Sequence, residues 1–209
     1  MSRRSKTPRK SQLAIKTPPA WPGARIGLFG GSFNPPHAGH VAISETALKR
    51  LGLDRLWWLV TPGNPLKERT ALAPLSERIA ACQRLARDPR IVVTAFEAEL
   101  QDPYSATTVR FLRRRFPRTR FVWVIGADNL AGLHRWRDWR RLAAEIPIAV
   151  IDRPGFSLAA LASPAARALA PGRVSDRSAA SLAKRRPPAW TYLRTRLSDL
   201  SSTGLRGEK

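Results

Sequence analysis

Gly30-Gly31-Ser32-Phe33-Asn34-Pro35-Pro36-His37-Ala38-Gly39-His40 follows a short apolar run, Ile26-Gly27-Leu28-Phe29, and precedes a helical pattern. A strand, a glycine turn and a helix start in that order build an anion site. Glycine lets backbone N–H groups approach phosphate closely, and the unpaired N–H groups of a helix start point at it. His37 and His40 stand three apart, which puts two imidazoles on one face of the first helical turn. The arrangement suits triphosphate chemistry. The glycine spacing is not GxGxxG, so the dinucleotide-binding fingerprint is absent. A zinc site lacks a third ligand of Cys, Asp or Glu type nearby.

Around this segment, strand and helix patterns alternate. Residues 25–29, 55–60, 91–96, 120–125, 146–151 and 190–193 read as strands. Arg55-Leu56-Trp57-Trp58-Leu59-Val60 is the continuous apolar run of a strand buried on both faces. Residues 39–51, 75–87, 106–116, 136–144 and 157–169 read as helices. In the first helix Val41, Ala42, Leu48 and Leu51 are expected to face inward. In the second, Ser76 is the expected cap and Ile79, Cys82, Leu85 and Ala86 the buried stripe. Such alternation predicts an α/β fold, a Rossmann-like doubly wound parallel sheet with ligands beyond the carboxyl ends of its strands. Residues 162–188, rich in Ala, Ser, Pro and Arg, are the expected mobile loop region.

The chain of 209 residues is long enough for one α/β domain with a real core, and 43% hydrophobic residues favour a globular fold. Lys and Arg number 37 against 15 Asp and Glu, a formal charge of +22 that favours polyanionic partners. Cys82 is the only cysteine, so no disulfide forms within the chain, which fits a reducing cytoplasm. No apolar run approaches the roughly 18–20 residues a membrane span needs. Residues 1–23 read as a flexible basic tail, with Arg3, Arg4, Lys6, Arg9, Lys10 and Lys16 and no acid. Pro8, Pro18 and Pro19 spoil the amphipathic helix of a transit peptide. The folded domain is expected over 24–209.

Further segments bear chemistry. Thr61-Pro62-Gly63-Asn64-Pro65-Leu66-Lys67 follows the second strand. Gly126-Ala127-Asp128-Asn129-Leu130 follows a later one, with Trp136 and Trp139 beyond it. Asp152-Arg153-Pro154-Gly155 closes another, and Leu200-Ser201-Ser202-Thr203-Gly204-Leu205-Arg206 lies near the end of the chain. Lys67 brings a compact mobile charge and Arg153 a bidentate fork. Hydroxyls, amides and Arg206 together form a second anion site. Trp139, with Leu142 three residues on, is expected in the core.

GSFNPPHAGH resembles the (T/G)xFxPxHxGH signature of the HxGH nucleotidyltransferases and, within them, the bacterial nicotinate-nucleotide adenylyltransferases. Residues 61–67 are similar to that family's PxxxPxK loop and residues 126–139 to its GADxLxxLxxWxxW element. Residues 153–155 match its RPG turn, and residues 201–206 are close to its SSTxIR motif. The likeness spans about residues 25–206 in family order. It implies that the 5′-phosphate of nicotinate mononucleotide attacks the α-phosphorus of ATP and that pyrophosphate leaves, with Mg²⁺ accompanying ATP and no protein metal ligand assigned.

In that scheme His40 donates to the α-phosphate, while His37, Lys67 and Arg206 hold the outer phosphates. Gly30, Gly31, Ser32, Phe33, Gly126, Asp128, Ser201, Ser202 and Thr203 complete the ATP cradle. Asn34, Lys67, Thr107, Trp136 and Arg153 meet the mononucleotide, Trp136 as a flat face for a pyridine ring. Many relatives continue past the SSTxIR motif with a further helical segment, so the helix presenting the second anion site is expected to be short here, with either another element supporting it or ATP binding weaker than in relatives. Nicotinamide-mononucleotide and phosphopantetheine adenylyltransferases are the alternatives within the superfamily. Arg110, Arg113, Arg114, Arg115, Arg118 and Arg120 motivate a different class, a nucleic-acid-binding module, although such a run also suits a solvated helix face. The family reading carries no membrane or specific nucleic-acid partner and a cytoplasmic setting.

Overall fold

The computed structural model describes residues 16–63, 72–100, 102, 104–153 and 155–194. Its sheet contains β1 (Arg25–Gly31), β2 (Arg55–Val60), β3 (Ile91–Thr94), β4 (Arg120–Gly126), β5 (Ile148–Ile151), β6 (Arg173–Val174) and β7 (Trp190–Leu193). The strand order is β3-β2-β1-β4-β5-β7-β6, and every pairing is parallel. Chain order runs outward from β1 to β3 in one direction and from β4 to β5 in the other, where β7 lies between β5 and the edge strand β6, so the topological switch lies between β1 and β4. Open parallel sheets bind ligands in the crevice at that point.

Alternate strand residues feed two separate cores. Ile26, Leu28, Trp57, Leu59, Trp123 and Ile125 pack on one face, beneath α3 (Ser105–Arg115), α4 (Ala127–Gly132), α5 (Trp139–Glu145), α6 (Ser157–Leu161) and α7 (Pro164–Ala168). Phe29, Leu56, Trp58, Val60, Val122 and Val124 pack on the other. That face is covered by α1 (Ala38–Arg50), α2 (Leu75–Leu85) and a 3₁₀ helix, Asp176–Lys184. Helices on both faces make the sheet doubly wound, as its apolar strands require.

Several local expectations are corrected. In α1 the buried residues are Gly39, Ile43, Ser44, Ala47 and Leu48, while Val41 and Ala42 are only partly buried. Ser76 does not cap α2: Pro74 occupies that position, with no side-chain hydrogen bond. The helix expected over 157–169 breaks in two, because Pro164 lacks an N–H and disfavours helical geometry at the residue before it. Ser163 then caps α7, its hydroxyl accepting from Ala166 N–H at 3.1 Å. Residues 162–188 form α7, 3₁₀ turns and β6 instead of an irregular loop, with Ala179, Leu182 and Ala183 buried against the sheet. Trp136 precedes α5 instead of lying within it.

Residues 16–23, assigned from composition to the basic tail, lie along the domain. Pro18 is buried and Ala20 packs on the core. Gly23 N–H donates to the Arg118 carbonyl at 2.8 Å, and Thr119 Oγ1 donates to the Trp21 carbonyl at 3.1 Å. Residues 1–15 lie outside the described residues.

Candidate active site

The segment after β1 turns through Phe33, whose φ of 46° lies in the left-handed region that non-glycine residues seldom enter. Burial holds it there. The Phe33 ring stacks on Trp58 at 5.0 Å between centroids and meets Phe29 edge-on at 5.7 Å. Gly31 leaves room for that ring: a Cβ there would come within 3.2 Å of it. Phe33 thus serves as a buried pillar beneath the loop, with His40 resting on its ring at 4.7 Å.

His37 is the N-cap of α1 and His40 its third residue, and the two form a reciprocal capping box. His37 Nδ1 accepts from Gly39 N–H at 3.1 Å, and His40 Nδ1 accepts from His37 N–H at 3.1 Å. Both Nδ1 atoms are acceptors, so in each neutral ring the proton sits on Nε2. Burial, then the nearby Arg153 charge, pushes the His37 pKa down to about 4 against an opposing pull from Asp128. Burial, then His37 and Arg153, pushes His40 down to about 3. The pair is therefore neutral at physiological pH, two imidazole donors whose Nδ1 atoms are fixed by backbone.

The switch point brings in residues from two further strands. Gly126 ends β4, and Arg153 follows β5. Arg153 donates to Asp128 Oδ2 at 3.0 Å, while Asp128 Oδ1 is buried with no hydrogen-bond partner among the described residues. A Cβ on Gly126 would lie 2.4 Å from Asp128 Oδ1 and 2.9 Å from Arg153 Cδ. Glycine is needed here for space, since its φ of −77° is ordinary. Asp152, which the sequence reading quoted without a role, anchors the Arg153 turn. Its Oδ1 accepts from Arg153 N–H at 2.9 Å, from Ser157 Oγ at 2.6 Å and from the Tyr192 hydroxyl. Burial and the Asp152 hydrogen bond raise the Tyr192 pKa to about 12.

The remaining predicted residues are placed as follows. Gly30, Gly31 and Ser32 are partly buried at the end of β1 and just beyond it. Asn34 is buried, and its Oδ1 accepts from Ala73 N–H at 3.2 Å, tying the loop to the chain entering α2. Thr107 and Trp136 make no hydrogen bond or ring contact with the histidines among the described residues. They belong to adjoining segments: the Arg137 guanidinium sits 4.7 Å over the Tyr104 ring, placing the Trp136 turn against the start of α3. The Thr107 hydroxyl donates to Asp102 Oδ2 at 3.2 Å. Trp139 is buried in the core as expected. Lys67, Ser201, Ser202, Thr203 and Arg206 lie outside the described residues. Arg78, on α2 behind the glycine loop, was passed over because a lone arginine inside an amphipathic pattern carries no motif.

A family profile described as cytidylyltransferase-like matches residues 28–208. A protein of Rhizobium meliloti named "Probable nicotinate-nucleotide adenylyltransferase" is 60% identical over 184 residues, 88% of this chain and 98% of its own. One of the same name from Agrobacterium fabrum is 55% identical, over 87% of this chain and 97% of its own. Among solved structures, Plasmodium falciparum nicotinic acid mononucleotide adenylyltransferase complexed with NaAD superposes with a TM-score of 0.67. That match covers 88% of this chain and 83% of the other at 16% identity, a likeness of fold. With its histidine pair at the switch point of a doubly wound sheet and relatives this similar over nearly their whole length, the chain belongs to the nicotinate-nucleotide adenylyltransferase family of cytidylyltransferase-like enzymes.

Proposed function

We propose that the protein joins ATP and nicotinate mononucleotide into nicotinate adenine dinucleotide and pyrophosphate. The observation that carries this reading is the reciprocal capping of His37 and His40 beside the Arg153–Asp128 pair at the switch point. Relatives of more than half identity bear the matching name. A phosphate oxygen of the mononucleotide forms a bond to the α-phosphorus of ATP, and the bond from that phosphorus to the bridging oxygen breaks. The attacking oxygen is already anionic, so the protein needs no nucleophile and no general base. Its task is positioning and charge stabilisation.

Neutral Nε2–H groups suit that task. They donate to phosphate without holding a proton that the reaction would have to move. His40, resting on Phe33, is assigned to the α-phosphate and His37 to the outer phosphates. Arg153, oriented by Asp128, supplies a fixed cation. Family likeness assigns Lys67, Ser201, Ser202, Thr203 and Arg206 to the triphosphate, and Thr107 and Trp136 to the pyridine end. Mg²⁺ is the proposed companion of ATP and would neutralise charge on the departing pyrophosphate. The donors near the histidines fit an ion held chiefly by phosphate and water oxygens, with Asp128 the carboxylate whose charge reaches His37. The setting proposed is the cytoplasm, and no helix among the described residues is long and apolar enough to cross a membrane.

Pyrophosphate release and dinucleotide formation, measured with ATP, Mg²⁺ and nicotinate mononucleotide, test the reading. Product is expected with the nicotinate substrate, and the His40→Ala variant is expected to lose about 100-fold or more in turnover while staying folded. Faster reaction with phosphopantetheine or nicotinamide mononucleotide would overturn the substrate assignment. Unchanged turnover in His40→Ala would overturn the role of the histidine.

A further inference from the structure

Arg78 is 3% exposed, and no ion pair joins it to a carboxylate among the described residues. Its guanidinium is spent on backbone carbonyls instead. Nη1 donates to Ser32 O at 2.6 Å and to Thr61 O at 2.8 Å, and Nε donates to Ala73 O at 2.9 Å. These carbonyls belong to three separate stretches: the glycine loop after β1, the exit of β2 and the entry of α2. Backbone leaving a strand at the catalytic end of a sheet lacks ladder partners, and a buried carbonyl without a donor is costly. One planar fork with several fixed donors meets all three needs, which a lysine ammonium on a flexible stem does less well. The clamp is doubled from the other side, since Asn34 Oδ1 accepts from Ala73 N–H. Burial holds the Arg78 pKa below its usual value. A desolvated cation with no counter-ion among the described residues is an expensive choice for a fold that needs only packing.

From this geometry we infer that Arg78 is a positioning residue for the transfer reaction. It fixes the Ser32 turn, and with it the Phe33 pillar and the His40 ring, against the ends of β2 and α2. The inference rests on the proposed function for its reaction but not for its geometry. Arg78 touches no substrate in this account and acts through the loop alone.

Arg78→Lys and Arg78→Ala decide it, with Arg55→Ala as control. Arg55 also donates to a backbone carbonyl, that of Pro89 at 2.5 Å, but it is only partly buried, the bond is exposed, and it lies at the amino end of β2. Each variant is assayed below its own melting temperature for kcat, KM and calorimetric affinity for ATP without the second substrate. Misplacing a site by about an ångström costs about 100-fold, so Arg78→Ala is expected to lose that much in kcat, and Arg78→Lys less. Free guanidinium, at concentrations far below those that unfold proteins, is expected to restore activity and ATP affinity to Arg78→Ala and to leave the control unchanged. If Arg78→Ala does not fold, Arg78→Lys carries the test. A folded variant within about threefold of wild-type kcat, or loss of stability with kcat intact, overturns the inference. If wild-type protein forms no dinucleotide yet ATP affinity falls in the variants, the reaction assigned above fails and the loop clamp stands.

Discussion

His37 and His40 show how two residues serve fold and chemistry together. Each imidazole spends Nδ1 on a backbone N–H of the helix start and keeps Nε2 for a ligand. The cost appears in titration. Their folded pKa values, about 4 and about 3, lie below the 6.5 of the unfolded chain. Above pH 6.5 both states are neutral and the contribution to stability is complete. As pH falls below that value, the unfolded chain takes up protons that the folded one refuses, so stability declines toward pH 4. Melting temperature measured against pH is expected to be level above neutrality and to fall in that window. Asn at position 37 still caps a helix but cannot titrate, so His37→Asn is expected to give a shallower fall. An identical slope would show that His37 is not the group responsible. Spacing placed both histidines on one helix turn. It did not show the hydrogen bond from His37 N–H to His40 Nδ1, because backbone direction at the turn is set by Phe33 in its left-handed conformation.

Among elements, the ends of β1, β4 and β5 meet at one place, and the glycines there differ in their reasons. A Cβ on Gly126 would collide with the Asp128 and Arg153 side chains, whereas one on Gly30 would meet Trp123 at an ordinary 3.6 Å. Gly126→Ala is therefore expected to displace the ion pair, lowering kcat/KM about tenfold or more and stability by about 1–3 kcal/mol. On the proposed function, which assigns Gly30 to the phosphate cradle, Gly30→Ala is expected to keep its melting temperature and lose ATP affinity. Thermal melts beside calorimetric titrations separate the two, and a large loss of stability in Gly30→Ala would contradict the distinction. Motif reading treated both glycines as ligand-facing. Only the neighbours brought in from strands far apart in the chain show which of the two a side chain would crowd.

Over the whole molecule, the fold continues upstream of the first strand. Lys16, Thr17, Trp21 and Gly23 all exchange hydrogen bonds with the body of the domain. Removing residues 1–15 sets the reference melting temperature. Removing residues 1–23 forfeits those bonds, a loss of roughly 2 kcal/mol, and is expected to lower the melting temperature by roughly 5 °C. Equal melting of both truncations would show that the 16–23 contacts contribute nothing. Composition could not find this boundary, since a Pro- and Lys-containing segment reads as solvated whether or not the domain offers it a surface. Alternation of apolar strands with amphipathic helices, and the glycine-histidine motif, were enough to fix the doubly wound sheet and the crevice at its centre, because short-range periodicity determines which faces must be buried. The pairing of Arg153 with Asp128, the anchoring of that turn by Asp152 and Tyr192, and the three-carbonyl grip of Arg78 emerged only on folding. Each includes a contact between groups tens of residues apart, and a linear pattern holds no information about which distant donor reaches which acceptor once the layers pack.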